Sequence, residues 1–173
     1  MSVQSGWAGR VYEDFEVGAV IQHRLGRTIT QADNIWFTLL TLNNNPIHFD
    51  AAYAAQTEFK RPLVDSTFTL ALVTGLTVAD LSMNAVNLGW ENVRLPAPVY
   101  EGDTLYAQSE VLNMRESRSR PNMGLVQFNT TGINQQGMVV IEFERTILVY
   151  KRGQVPQAAR PKINQGKDQT QGL

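Results

Sequence analysis

Residues 66–82 read STFTLALVTGLTVADLS, a run apolar on nearly every face, so the segment from Asp65 or Ser66 to about Ser82 predicts a long helix enclosed by the rest of the fold. Everything downstream reads differently. NAVNLGWENVRL (84–95), DTLYAQSEVLNMRES (103–117), GLVQFNTTGIN (124–134) and MVVIEFERTILVYKR (138–152) are rich in β-branched and aromatic residues and read as four strands. Asn134-Gln135-Gln136-Gly137 is a tight-turn signal that makes the last two an antiparallel hairpin. Val139, Ile141, Phe143 and Thr146 to Val149 supply the alternation of a sheet with one buried face.

Upstream, GAVIQHRLGRTITQ (18–31) suits a first strand running into a helix start at Thr30 or Asp33. Ile35, Trp36, Leu39 and Leu40 then recur at the spacing of one buried helical face. Asn43-Asn44-Asn45-Pro46 ends that helix, since Asn tolerates turn geometry and Pro46 drives Asn45 away from helical angles. Asp50 is placed to cap a short helix, AAYAAQTEF, closed by Lys60-Arg61-Pro62. Strand, helices, long buried helix, then an antiparallel meander is an α+β order in which a sheet wraps one helix. Residues 1–152 make a single domain. The tail 153–173 has little apolar material and reads as a flexible or strapping extension.

Composition narrows the function. The 173 residues suffice for one domain with a real core, and 43% apolar content is globular. A formal charge of -1 gives no field favouring nucleic acid or an anionic membrane. There is no membrane-length apolar run and no leader-like N-terminus, so a cytoplasmic protein is expected. With no cysteine, disulfides, thiolate nucleophiles and Cys-ligated metals are excluded, and two histidines without a carboxylate cluster predict no metal site.

The densest run of unusual residues is Thr41-Leu42-Asn43-Asn44-Asn45-Pro46-Ile47-His48-Phe49-Asp50, three amides, a proline and a histidine in a stiff link between helices. Such loops are where scaffolds present catalytic groups. Thr41, Asn45, Pro46 and His48 stand at the spacing of Ser/Thr-Gly-Asp-x-Asn-Pro-x-His, the motif of MaoC-like, R-specific enoyl-CoA hydratases of the hot-dog superfamily, which this chain resembles from about residue 10 to 152. Pro96 to Leu105 is similar to that family's segment leading into its third strand. Two positions depart. Leu42-Asn43 replaces Gly-Asp, so the usual carboxylate becomes an amide. Val64-Asp65-Ser66 replaces an Ala-His-Gly that leads into the buried helix. Both changes resemble the mesaconyl-CoA hydratase and β-methylmalyl-CoA dehydratase branch, as do residues 39–43, 61–67, 118–121 and 142–146.

The resemblance implies a hot-dog fold, an acyl-CoA substrate with no further cofactor, and addition or removal of water at an α,β-unsaturated thioester. That chemistry needs a base for water, a proton for Cα and stabilisation of an enolate-like oxygen. His48 is the natural acid/base, because a histidine's ordinary pKa of about 6.5 permits exchange at neutral pH. Asn43 is a water-positioning amide or a plain turn residue. On this view an aspartate returned to position 43 is tolerated. Asp50 and Asp65 can supply the missing carboxylate or simply cap helices, with Asp65 counted among the substrate-binding residues. The main chain at Ser66 and Thr67 suits an oxyanion. Arg61, Arg118 and Arg120 can grip CoA phosphates or a second substrate carboxylate. Hot-dog relatives pair their sheets, so a homo-oligomer with a dimer as its minimal unit is expected. Two alternatives remain: a thioesterase, and a non-catalytic acyl-CoA-binding subunit.

Overall fold

A computed structural model describes residues 6–157. The tail expected over 153–173 therefore falls almost wholly outside the described residues. After a 3-10 turn at Tyr12–Asp14 come β1 (Val20–Gln22), β2 (Arg27–Thr28), α1 (Gln31–Thr41), a 3-10 turn at Pro46–His48, α2 (Ala51–Ala54) and α3 (Ser66–Leu81). β3 (Ala85–Arg94), β4 (Thr104–Glu116), β5 (Met123–Ile133) and β6 (Val139–Tyr150) complete the order. The strands pair antiparallel in one sheet, β1-β4-β5-β6-β3, with β2 beside β4. With α3 packed against one face, this is the expected α+β hot-dog architecture.

The four long strands lie within the segments that alternation marks out, give or take a residue. Their hairpin turn is built as its residues suggest: Asn134 Oδ1 accepts from the N–H groups of Gln136 and Met138, both at 3.0 Å, and Gly137 takes φ 79°. Such positive φ suits a residue without a Cβ. The first strand is broken into β1 and β2. Between them the backbone at Gly26 closes on Tyr106, so that a Cβ there would stand 2.4 Å from a ring carbon. The helix after Asp50 is shorter than its alanine-rich sequence suggests, because the Thr57 hydroxyl turns back to the Ala54 carbonyl and Lys60 enters left-handed geometry.

Both apolar helices bury less within this chain than their patterns imply. α3 presents Thr69, Val73, Thr77 and Leu81 to the sheet, one residue per turn, while Ala71, Gly75 and Val78 face out. On α1 the apolar face is the open one: Trp36 is 66% exposed and Leu40 79%, whereas Asn34 and Thr38 are buried. Periodicity identifies an apolar face without saying what covers it. No helix among the described residues is long and apolar enough to cross a membrane.

Under α3 the core forms two apolar clusters. One gathers around Val73, Leu105, Ile141 and Phe143, the other around Leu81, Val111, Phe128 and Ile147. Buried polar side chains accompany them: His23, Thr77, Ser109, Thr130 and Arg145. Arg145 alternates with Phe143 and Ile147 along β6 and is 2% exposed, and burial pushes its guanidinium down to about 10.

Candidate active site

The loop after α1 is shaped by its amides. Leu42 takes φ 57° and ends the helix, and the Asn43 N–H returns to the Thr38 carbonyl at 2.9 Å. Asn43 Oδ1 accepts from the Asn45 N–H (3.1 Å), and Asn45 Oδ1 from the Ile47 N–H (3.3 Å). Pro46 opens the 3-10 turn that carries His48. Its fixed φ suits a first helical position.

Among the described residues the His48 ring is held by one nitrogen only, with Nδ1 3.0 Å from the Leu63 carbonyl oxygen. A carbonyl can only accept, so Nδ1 carries the proton and the Nε2 lone pair remains available. His48 lines a cavity of about 410 Å³ with Asn45, Phe59, Ser66, Thr69 and the segment 95–99.

Behind this histidine is a residue that the sequence pattern did not single out. Asn34 Nδ2 donates to the carbonyls of His48 and Leu63, both at 2.9 Å, and Asn34 Oδ1 accepts from the Asp65 N–H at 2.9 Å. One buried amide thus ties together the loop that carries His48, the carbonyl that accepts from its ring, and the start of α3. Its signal was a polar residue inside an otherwise apolar helical segment.

Asp65 is 1% exposed and caps α3. Its Oδ1 accepts from the Thr67 N–H (2.7 Å), the Thr67 hydroxyl (2.6 Å) and the Phe68 N–H (3.2 Å), while Oδ2 accepts from Asn43 Nδ2 at 2.5 Å. Burial works to raise its pKa, but the Thr67 hydroxyl, the Asn43 amide and the two backbone donors outweigh it and hold the carboxyl below its ordinary value. Asp65 is therefore an ionised anchor. Neither it nor Asn43 lines the His48 cavity. With its oxygen on Asn45 and its amino group on Asp65, Asn43 holds the loop.

Of the two main-chain groups expected to hold an oxyanion, Thr67 is corrected: its N–H is taken by the Asp65 cap. The Ser66 N–H has no acceptor among the described residues, and Ser66 lines the cavity. Asp50 caps α2, accepting from the Tyr53 N–H at 2.9 Å. The Arg61 guanidinium stacks 3.7 Å over the Tyr100 ring, next in sequence to Val99 of the cavity wall. Arg118 and Arg120 line a different groove, on the turn between β4 and β5. The structure does not bring them to the His48 of the same chain.

A family model described as mesaconyl-CoA hydratase matches residues 3–171. A β-methylmalyl-CoA dehydratase of Chloroflexus aurantiacus is 36% identical over 154 residues, covering 88% of this chain and 43% of its own length. A crystal structure described as a MaoC domain protein dehydratase from the same organism superposes with a TM-score of 0.82 at 33% identity, over 92% of this chain and 46% of that one. Rv0216 of Mycobacterium tuberculosis, described as a double hot-dog fold, gives a TM-score of 0.75 at 21% identity over 94% of this chain and 49% of its own, a likeness of fold alone. The chain spans about half the length of these proteins.

Proposed function

Because the chain belongs to the mesaconyl-CoA hydratase family, we propose that it adds water to, or removes it from, an enoyl-CoA thioester, with His48 as the acid/base. The observation that carries this reading is a cavity lined by both His48, whose ring is bonded among the described residues at Nδ1 alone, and Ser66, whose N–H at the head of α3 has no acceptor among them. In the hydration direction Nε2 takes a proton from water as its oxygen bonds to Cβ. The electron pair of the C=C bond moves toward the thioester, where the Ser66 N–H and the helix dipole stabilise the oxygen. The imidazolium then returns the proton to Cα. One group serving both steps implies addition to a single face.

A branched or dicarboxylic acyl group such as that of mesaconyl-CoA is the substrate we favour, with Arg61 meeting the distal carboxylate. Planar guanidinium groups suit bidentate carboxylate recognition. The minimal unit is a pair of hot-dog domains, made here by a second copy. The support is the open edge of β3, which carries exposed Val86, Leu88 and Trp90, and the uncovered apolar faces of α1 and α3.

Incubation with crotonyl-CoA and mesaconyl-CoA, following enoyl-thioester absorbance and free thiol together, tests the reaction. Loss of absorbance without thiol is the expected result. Thiol release identifies a thioesterase, and binding with neither signal a non-catalytic subunit.

A further inference from the structure

Far from His48, the outer face of the sheet carries a groove of about 560 Å³ with Arg115, Arg118 and Arg120 on its rim and Leu88, Leu125 and Leu148 within it. Its volume is in the range of about 300–1,000 Å³ usual for small-molecule sites. The rim is a built structure. The Ser117 N–H donates to the Met123 carbonyl (3.1 Å), the Met123 N–H to the Arg120 carbonyl (2.9 Å), and the Arg120 N–H to the Ser117 hydroxyl (3.1 Å). Among the described residues no carboxylate lines the groove, and the neighbouring Glu116 is paired with Lys151 at 3.0 Å. Three guanidinium groups gathered on a chain of net charge -1 repel one another unless an anion joins them.

We propose that this groove binds the nucleotide end of the CoA thioester, its phosphates on Arg115, Arg118 and Arg120 and its adenine over the leucines. This rests on the acyl-CoA reading above. Serine hydroxyls and guanidinium forks match phosphate oxygens, and an apolar floor beside them matches a flat base. The separation from His48 follows from pairing. Leu88 stands near the start of edge strand β3, and the cavity wall begins just past its end. Antiparallel pairing of two β3 edges would lay the end of one against the start of the other, so that one copy's groove would lie near the other copy's cavity at the same end of the joined sheet, with the pantetheine arm passing round the strand ends from the outer face to the helix side.

Calorimetric titration of the full chain with CoA, dephospho-CoA and pantetheine tests this without any turnover. The expected order is CoA tighter than dephospho-CoA tighter than pantetheine, with CoA affinity falling as salt rises. Arg118→Gln/Arg120→Gln should weaken CoA by roughly tenfold or more and leave pantetheine unchanged, since charge-assisted phosphate contacts are lost. Unaltered CoA affinity in that variant overturns the proposal, as does the same loss in Arg61→Gln instead, which would move the phosphates to the cavity mouth. A chain that binds CoA through this groove yet hydrates no enoyl-CoA leaves the groove standing and removes the proposed reaction.

Discussion

The two histidines of this protein occupy opposite kinds of environment. His23 has what looks like the richer chemistry: Nδ1 is 2.9 Å from Asp80 Oδ2, Nε2 is 3.0 Å from Ser109 Oγ, and Ser109 Oγ is 2.9 Å from Thr130 Oγ1. That is the connectivity of an Asp-His-Ser triad. Yet Ser109 is wholly buried in the core, and both imidazole nitrogens are engaged. Among the described residues the His48 ring has a single partner, at Nδ1, and His48 lines a cavity. A full set of partners stabilises a fold; an incomplete set at a cavity can act on a ligand.

Removing each ring is the most direct way to break this contrast. His48→Ala should lower kcat by about 10²- to 10⁴-fold, the range for losing a general acid/base, with the melting temperature little changed. Steady-state kinetics beside a thermal melt check it. Near-wild-type turnover would return the acid/base role to an aspartate.

The second test addresses the pair that supports His48. On sequence alone an aspartate at position 43 looks acceptable, since it restores the wider family's acid. The structure revises that expectation, because Asn43 Nδ2 already donates to the ionised Asp65 at 2.5 Å. Two carboxylates at that distance cannot both stay charged, so one takes up a proton or the loop shifts. Asn43→Asp should therefore destabilise the protein and cut activity at neutral pH by roughly tenfold, the equivalent of about 1–2 kcal/mol from a lost charge-assisted bond. Asn43→Asp/Asp65→Asn exchanges acid and amide across the same bond and should recover most of the loss. A double variant no better than the worse single one would show that the two positions are not interchangeable.

That revision marks where sequence reasoning stops. Patterning identified α3, the four long strands and the Asn-Pro-Ile-His loop, because alternation and turn chemistry are local properties. It separated neither of Asn43's possible roles nor the two possible roles of Asp65, since both depend on residues 22 positions apart meeting. Asn34 was invisible for the same reason: its three partners come from distant segments. Arg118 and Arg120 were grouped with Arg61 as substrate ligands, although a strand's length separates them in one chain. The open faces of α1 and α3 are not legible in the sequence, because a pattern reports polarity and not what covers it.

The smallest expected effect concerns His23 and appears only as pH is varied. Burial holds its pKa below the ordinary histidine value, and Arg145 and Arg10 push the same way, against the raising influence of Asp80. The folded protein therefore keeps His23 neutral, with Nδ1–H donating to Asp80 and Nε2 accepting from Ser109. An unfolded chain takes up that proton near pH 6.5, so below that value the unfolded state binds more protons and stability declines until the folded pKa is reached. The contribution is fully present above about pH 6.5. Asp65 acts in a separate, lower window, since its depressed pKa stabilises the fold above the ordinary carboxylate range and is lost only as pH falls through the folded value. Chemical denaturation at pH 8, 6.5 and 5.5 should thus show a drop in the wild type between the last two values. His23→Gln should be less stable at pH 8 by about 1–3 kcal/mol, because its amide cannot reproduce both bonds in a buried site. Its stability should vary less over the same pH interval, and kcat of the folded fraction should stay close to wild type. A His23→Gln protein that keeps its stability but loses turnover would erase the distinction between the two histidines and place the buried triad in the chemistry.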